Sequence, residues 1–195
     1  MDSPGTGTAA PPASTAKNGP ATTTASPGTP DLDSFPRRLR GNKFEDFTVG
    51  QDWVHHWGRT LTEADNVAFS TATCAWLPLH LNAEYARSQG HKDVVINPML
   101  ALCTAVGLSV EDLSEAGGPF LGIDDCVFHR PLHPGDTLTA ASRVLEKRTS
   151  STRPGVGIVT WLTQAHDQHG RLVLEFVRTN LVALREVPTS APKDN

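Results

Sequence analysis

Histidine titrates nearest to neutral pH, so His80, in the run Pro78-Leu79-His80-Leu81-Asn82, is the first candidate for proton transfer. The plainer reading is a histidine at a helix start, hydrogen-bonded to backbone. Further on, Asn97-Pro98 precedes a long apolar stretch. The Asn97 amide suits either polarising a carbonyl or capping a helix whose first position Pro98 favours. The N–H groups of Met99 and Leu100 would then lie unpaired at a helix start. With the helix dipole behind them, they could receive an oxygen that gains negative charge. Arg148 and Arg153 flank a Ser/Thr-rich loop and could grip phosphate groups, although solvated loop arginines are commoner.

Other reactive side chains read more blandly. Asp124 and Asp125 are neighbours in a strand-like run, so at most one faces any site, and a solvated edge is the simpler account. Asp136 in Pro134-Gly135-Asp136 is a turn residue. Cys74, Cys103 and Cys126 sit among apolar neighbours and read as buried free thiols, with no adjacent positive charge to activate them. The 8 histidines include His55-His56, which face opposite ways if extended. No Cys/His spacing suits zinc, so no metal site is expected.

The elements that must position these residues occupy only part of the 195-residue chain. Apolar residues make up 38%, and the shortfall lies at the ends. Residues 1–38 are rich in Ser, Thr, Pro, Ala and Gly and are expected to be a disordered tail; residues 188–195 form a shorter one. One folded domain is expected over 39–187. The N-terminal stretch has no apolar centre of signal-peptide length, and no run is long enough to span a bilayer. A net charge of −4 without a basic cluster argues against nucleic acid. A cytoplasmic protein with no membrane partner is expected.

Within the domain, Phe44 to Gly58 reads as an extended start. Thr62 and Asp65 form a short capping box, with Val67, Ala68, Phe69 and Ala72 as the apolar face of the helix that follows. Asn82 starts a short helix that Gly90 ends. The run from Pro98 to about Glu115 is apolar on nearly all sides and predicts an enclosed helix. Strands are predicted at Phe120–Arg130, Thr137–Lys147, Val156–His166 and Leu172–Leu184, with Val156, Ile158, Thr160 and Leu162 sharing one face.

One enclosed helix followed by long antiparallel strands is an α+β plan, a sheet curled around a helix. Several motifs resemble the MaoC-like hydratase/dehydratase family of hot-dog-fold proteins. They are Gly58 to Asp65 (GRTLTEAD), Pro78 to His80 with Asn82 to Ala86, and Arg130 to Leu138 (RPLHPGDTL). Gly107 to Asp112 (GLSVED) and Arg153 to Thr160 (RPGVGIVT) are similar to the mesaconyl- and itaconyl-type thioester hydratase branch. The resemblance covers nearly all of residues 44–184.

It implies a single hot-dog domain that adds or removes water at the α,β bond of a short acyl thioester. The acyl group would ride on coenzyme A or phosphopantetheine, with no separate cofactor. His80 falls on the family's catalytic histidine. The family's aspartate and asparagine positions fall on Ala75 and Leu77, and its His-Gly falls on Asn97-Pro98. Proline has no N–H to donate, so Ala75, Leu77 and Pro98 are vacated positions. Asn97, Met99 and Leu100 would bind the thioester oxygen, and Arg148 and Arg153 the carrier arm. A lone unit leaves a sheet edge and part of its helix uncovered, so a homodimer or higher homo-oligomer is expected. Three readings stay open: a hydratase with a departed site, a repurposed enzyme acting on thioesters, and a non-catalytic subunit that binds them. A thioesterase fits less well, because no carboxylate lies between Met99 and Val110.

Overall fold

The computed structural model describes residues 31, 34–36 and 40–185, so the expected tails fall outside the described residues apart from 31 and 34–36. After a 3-10 turn at Phe44–Asp46, the elements are β1 (Asp52–Val54), β2 (Arg59–Thr60), α1 (Glu63–Ala72), α2 (Pro78–Leu81), α3 (Ala83–Ser88), α4 (Pro98–Leu108), α5 (Val110–Leu113), β3 (Phe120–Phe128), β4 (Thr137–Thr149), β5 (Val156–His166) and β6 (Leu172–Ala183).

The sheet runs β1-β4-β5-β6-β3, with β2 beside the start of β4, and every pairing is antiparallel. Short turns join its three long strands. Gly135, at φ 93°, turns the chain into β4 within Pro134-Gly135-Asp136. In β5 the buried face is Gly157, Val159, Trp161, Thr163 and Ala165; the apolar set Val156, Ile158 and Leu162 lies on the half-buried outer face. Gly157 has a specific cause: a Cβ there would lie 2.1 Å from the Phe44 ring. Phe44, Phe47, Val144 and Trp161 close one end of the core. Leu61, Ile96, Ala101, Ala105, Leu138 and Phe176 fill the other.

Helix α4 packs on β4 and β5. Two expectations about it change. The predicted single helix is two, because it breaks at Ser109, whose N–H and hydroxyl both bond Val106 O. The same hydroxyl accepts from the buried Arg178 guanidinium at 3.0 Å, which fixes the break from across the core. Nor is the helix enclosed within this chain. Ala101 and Ala105 are buried against the sheet while Met99 and Cys103 are exposed, since the sheet covers one side only. For that reason Cys103 is not a buried thiol. Cys74 is exposed as well, and Cys126 is half-buried.

Helix α1 begins with the expected capping box. Thr62 Oγ1 accepts from Asp65 N, and Asp65 Oδ2 accepts from Thr62 N. Its inward face is not the apolar one, however. Asn66 and Ser70 are buried, whereas Val67 is 44% exposed. The polar pair points inward to meet buried polar groups: Asn66 serves backbone groups of His80, Val95 and Asn97, and Ser70 Oγ accepts from the Asn97 amide.

Candidate active site

His80 lies in α2, whose N1 position is taken by Pro78, and is 7% exposed. The segment 94–97 runs beside it into α4. Val95 O accepts from His80 Nδ1 at 2.8 Å. A carbonyl can only accept, so Nδ1 carries a proton, and in the neutral ring the lone pair is on Nε2. Nε2 makes no hydrogen bond to any described residue.

One amide ties this arrangement together. Asn66 Nδ2 donates to His80 O at 2.9 Å and to Val95 O at 3.3 Å, and Asn66 Oδ1 accepts from Asn97 N at 2.8 Å. Three elements therefore meet on a fully buried side chain. Sequence reasoning missed Asn66; its only signal was a polar residue inside a helix otherwise read from its apolar positions.

Asn97 is buried, and both the oxygen and the nitrogen of its amide are engaged. Oδ1 accepts from Met99 N at 3.0 Å, and Nδ2 donates to Ser70 Oγ at 3.2 Å. Leu100 N bonds Asn97 O at 3.0 Å. The expectation that the Met99 and Leu100 N–H groups lie unpaired is thus corrected: Asn97 occupies both, through its side chain and its carbonyl.

A cavity of about 400 Å³ opens here. One wall holds Leu77, His80, Pro98 and Ala101; the facing wall is residues 128–132 with Val173. His80 and the first turn of α4 thus border one space, and Leu77 and Pro98 share it. Ala75 is half-buried, bonds Ser70 O through its N–H, and is not part of the lining. Arg148 and Arg153 are exposed and border neither this cavity nor the polar hollow beside it. Asp124 and Asp125 are exposed, at an irregularity where Asp125 has φ 49°. Among the described residues, no group of three His, Cys, Asp or Glu side chains could hold a metal ion.

A second polar cluster lies within the core. His55 Nδ1 is 2.7 Å from Asp112 Oδ2, His55 Nε2 is 2.9 Å from Ser142 Oγ, and Ser142 Oγ is 2.8 Å from Thr163 Oγ1. The order Asp-His-Ser invites comparison with nucleophilic catalysis, but His55, Ser142 and Thr163 are all buried. The cluster joins the residue after β1 to β4, β5 and α5. Burial holds the His55 imidazole below its ordinary range, outweighing the opposing pull of Asp112. Nearby Arg178 is pushed down to about 10 by burial, and its Nε and Nη2 have no partner among the described residues.

An antiparallel sheet carrying one long helix, with a histidine-lined cavity at that helix's start, defines a hot-dog protein of the MaoC-like type. The solved neighbours agree. A putative MaoC domain dehydratase from Chloroflexus aurantiacus superposes with a TM-score of 0.72 at 28% identity, covering 83% of this chain and 46% of that one. A Mycobacterium tuberculosis protein described as a double hot-dog fold gives 0.67 at 26% identity, covering 80% and 48%. The mesaconyl-CoA hydratase family model matches residues 24–192. This chain belongs to that family. It is 37% identical over 156 residues to the mesaconyl-CoA hydratase of Haloarcula marismortui, covering 80% of this chain and 44% of that relative. The chain thus spans less than half the length of the curated relatives it matches. Among the described residues, no helix is long and apolar enough to cross a membrane.

Proposed function

We propose that this chain adds or removes water at the α,β bond of a short acyl thioester, with His80 as the proton-handling group. The observation that carries the reading is the His80 ring, fixed with Nδ1 protonated on Val95 O and bordering the cavity at the start of α4. Family membership and the relative named as a hydratase support it. In hydration, Nε2 takes a proton from water as the water oxygen bonds to the β-carbon. The electron pair moves to the thioester oxygen as an enolate. The proton held on the ring then goes to the α-carbon, and the ring returns to neutral. Dehydration is the reverse.

The residues that depart from the family pattern set the expected rate. Ala75 and Leu77 exchange no proton, so His80 works without a second acid or base. Loss of one such group costs about 10² to 10⁴ in rate. The enolate oxygen meets no free N–H of Met99 or Leu100, which leaves the positive end of the α4 dipole as its stabilisation. In this reading the acyl group is carried on coenzyme A or phosphopantetheine, no other cofactor takes part, and the enzyme works in the cytoplasm. A second hot-dog unit, in the simplest case another copy, covers the exposed Phe120, Leu121, Val127 and Phe128 of edge strand β3.

The missing second proton group favours one other reading, a subunit that binds acyl thioesters without turning them over. Incubation with a panel of enoyl and 3-hydroxyacyl thioesters, read by mass, separates the two. A shift of one water is expected. Binding without any shift selects the second reading, and a different mass change would mark a repurposed enzyme.

A further inference from the structure

We infer that the polar hollow beside the His80 cavity is the seat for a phosphate of the thioester's carrier arm, with Lys92 and Arg130 as its cationic contacts. The inference rests on the thioester reading above. The hollow, of about 310 Å³, is bordered by Lys92, Arg130, His133, Asp136, Asp167 and Arg171. It shares Arg130 and Pro131 with the His80 cavity, so the two adjoin at those residues.

Its carboxylates are already committed to donors. Asp167 Oδ1 accepts from the N–H groups of His169 and Arg171, and Oδ2 from the Arg171 guanidinium at 2.7 Å. Burial alone would raise this carboxyl, yet those donors hold it at about 2. Asp136 accepts from His133 N and from Gln168 Nε2. Asp93, nearby in sequence, accepts from Val94 N and lies 3.9 Å from Arg87.

The cations are not committed in the same way. Lys92 is exposed and makes no hydrogen bond or ion pair with a described residue. Arg130 spends only Nε, on Leu172 O at 2.7 Å, which fixes the guanidinium and leaves both terminal nitrogens to donate. Behind them, the buried His133 Nε2 has no partner among the described residues. Burial, helped by Lys92, keeps that ring below its ordinary pKa. A planar guanidinium beside an ammonium is a donor set suited to phosphate oxygens. The same RPLHPGD turn that opens β4 supplies Arg130, His133 and Asp136.

The test is titration calorimetry on the full chain with pantetheine, 4′-phosphopantetheine and coenzyme A, none of which carries a reactive double bond. Both phosphate-bearing probes are expected to bind about tenfold or more tightly than pantetheine at low salt. Lys92→Ala and Arg130→Gln should each lower that preference by roughly three- to tenfold. Because Lys92 makes no bond, Lys92→Ala keeps the fold, which a thermal melt verifies. Equal binding of the two phosphate-bearing probes points to the phosphate next to pantetheine; tighter coenzyme A points to its diphosphate end. Either supports the seat. No phosphate preference, no binding of any probe, or a preference lost in Arg148→Ala/Arg153→Ala but kept in Lys92→Ala and Arg130→Gln overturns it. Turnover without phosphate preference would sink the seat alone, and phosphate preference without turnover the hydratase reading alone.

Discussion

His80 Nδ1 lies 2.8 Å from the carbonyl oxygen of Val95, and that contact decides which nitrogen of the ring is basic. The carbonyl is held in turn by Asn66 at 3.3 Å. The ring is therefore oriented by a backbone group fixed independently of the ring. Removing the imidazole leaves Val95 O with a donor, so variants at His80 report on chemistry more than on folding.

Asn66 carries the opposite expectation. Asn66→Leu keeps the branched shape but strands Asn97 N and His80 O inside the protein. A loss of about 2 to 4 kcal/mol in stability is expected, measured by urea unfolding. Residual folded protein should also turn over more slowly, because the ring loses its frame. A variant as stable and active as the parent would show that the three bonds are dispensable.

How far this was legible in the sequence depends on where each cause lies. The Thr62–Asp65 box and the β5 limits Val156–His166 were readable because caps and turns are local. Asn66 was not, because its partners lie 14 to 31 residues away in sequence. The helix break at Ser109 depends on Arg178, 69 residues on. The N–H groups of Met99 and Leu100 looked free because the sequence cannot show that the Asn97 side chain folds back on its own helix. Motif order did point to the fold, since it preserves which elements meet. It did not point to the hollow lined by Lys92 and Arg130, which joins distant segments.

Arg178 is a buried cation with two nitrogens unpaired among the described residues; it contacts Ser109 Oγ and the Trp161 ring 5.5 Å away. Burying such a group without full pairing is costly. Arg178→Met is expected to gain up to about 4 kcal/mol and to be at worst neutral. A clear drop in melting temperature would contradict this.

Acid should destabilise the fold through one buried and one half-buried imidazole. Burial lowers His55 and His133 below the ordinary value of 6.5. The unfolded chain then binds more protons than the folded one below that pH. Stability from this source is complete above 6.5 and is lost as pH falls from there through the depressed folded values. Arg178 is one of the causes that lower His55, so Arg178→Met should flatten the decline. Melting temperatures that do not change between pH 7 and pH 5 would refute the assignment.

Gly157→Ala sets a new Cβ against the Phe44 ring. Backbone or ring must shift, at about 1 to 3 kcal/mol. Phe44→Leu in the same chain should recover part of that loss, read by chemical unfolding; a neutral single variant would argue against the contact.

The most direct test of the whole account is the hydration rate of His80→Ala, measured against the parent on whichever enoyl thioester responds, with thioester affinity followed in parallel. The account predicts a fall of about 10² to 10⁴ in rate with the fold intact and affinity within a few-fold. Unchanged turnover in His80→Ala would contradict it.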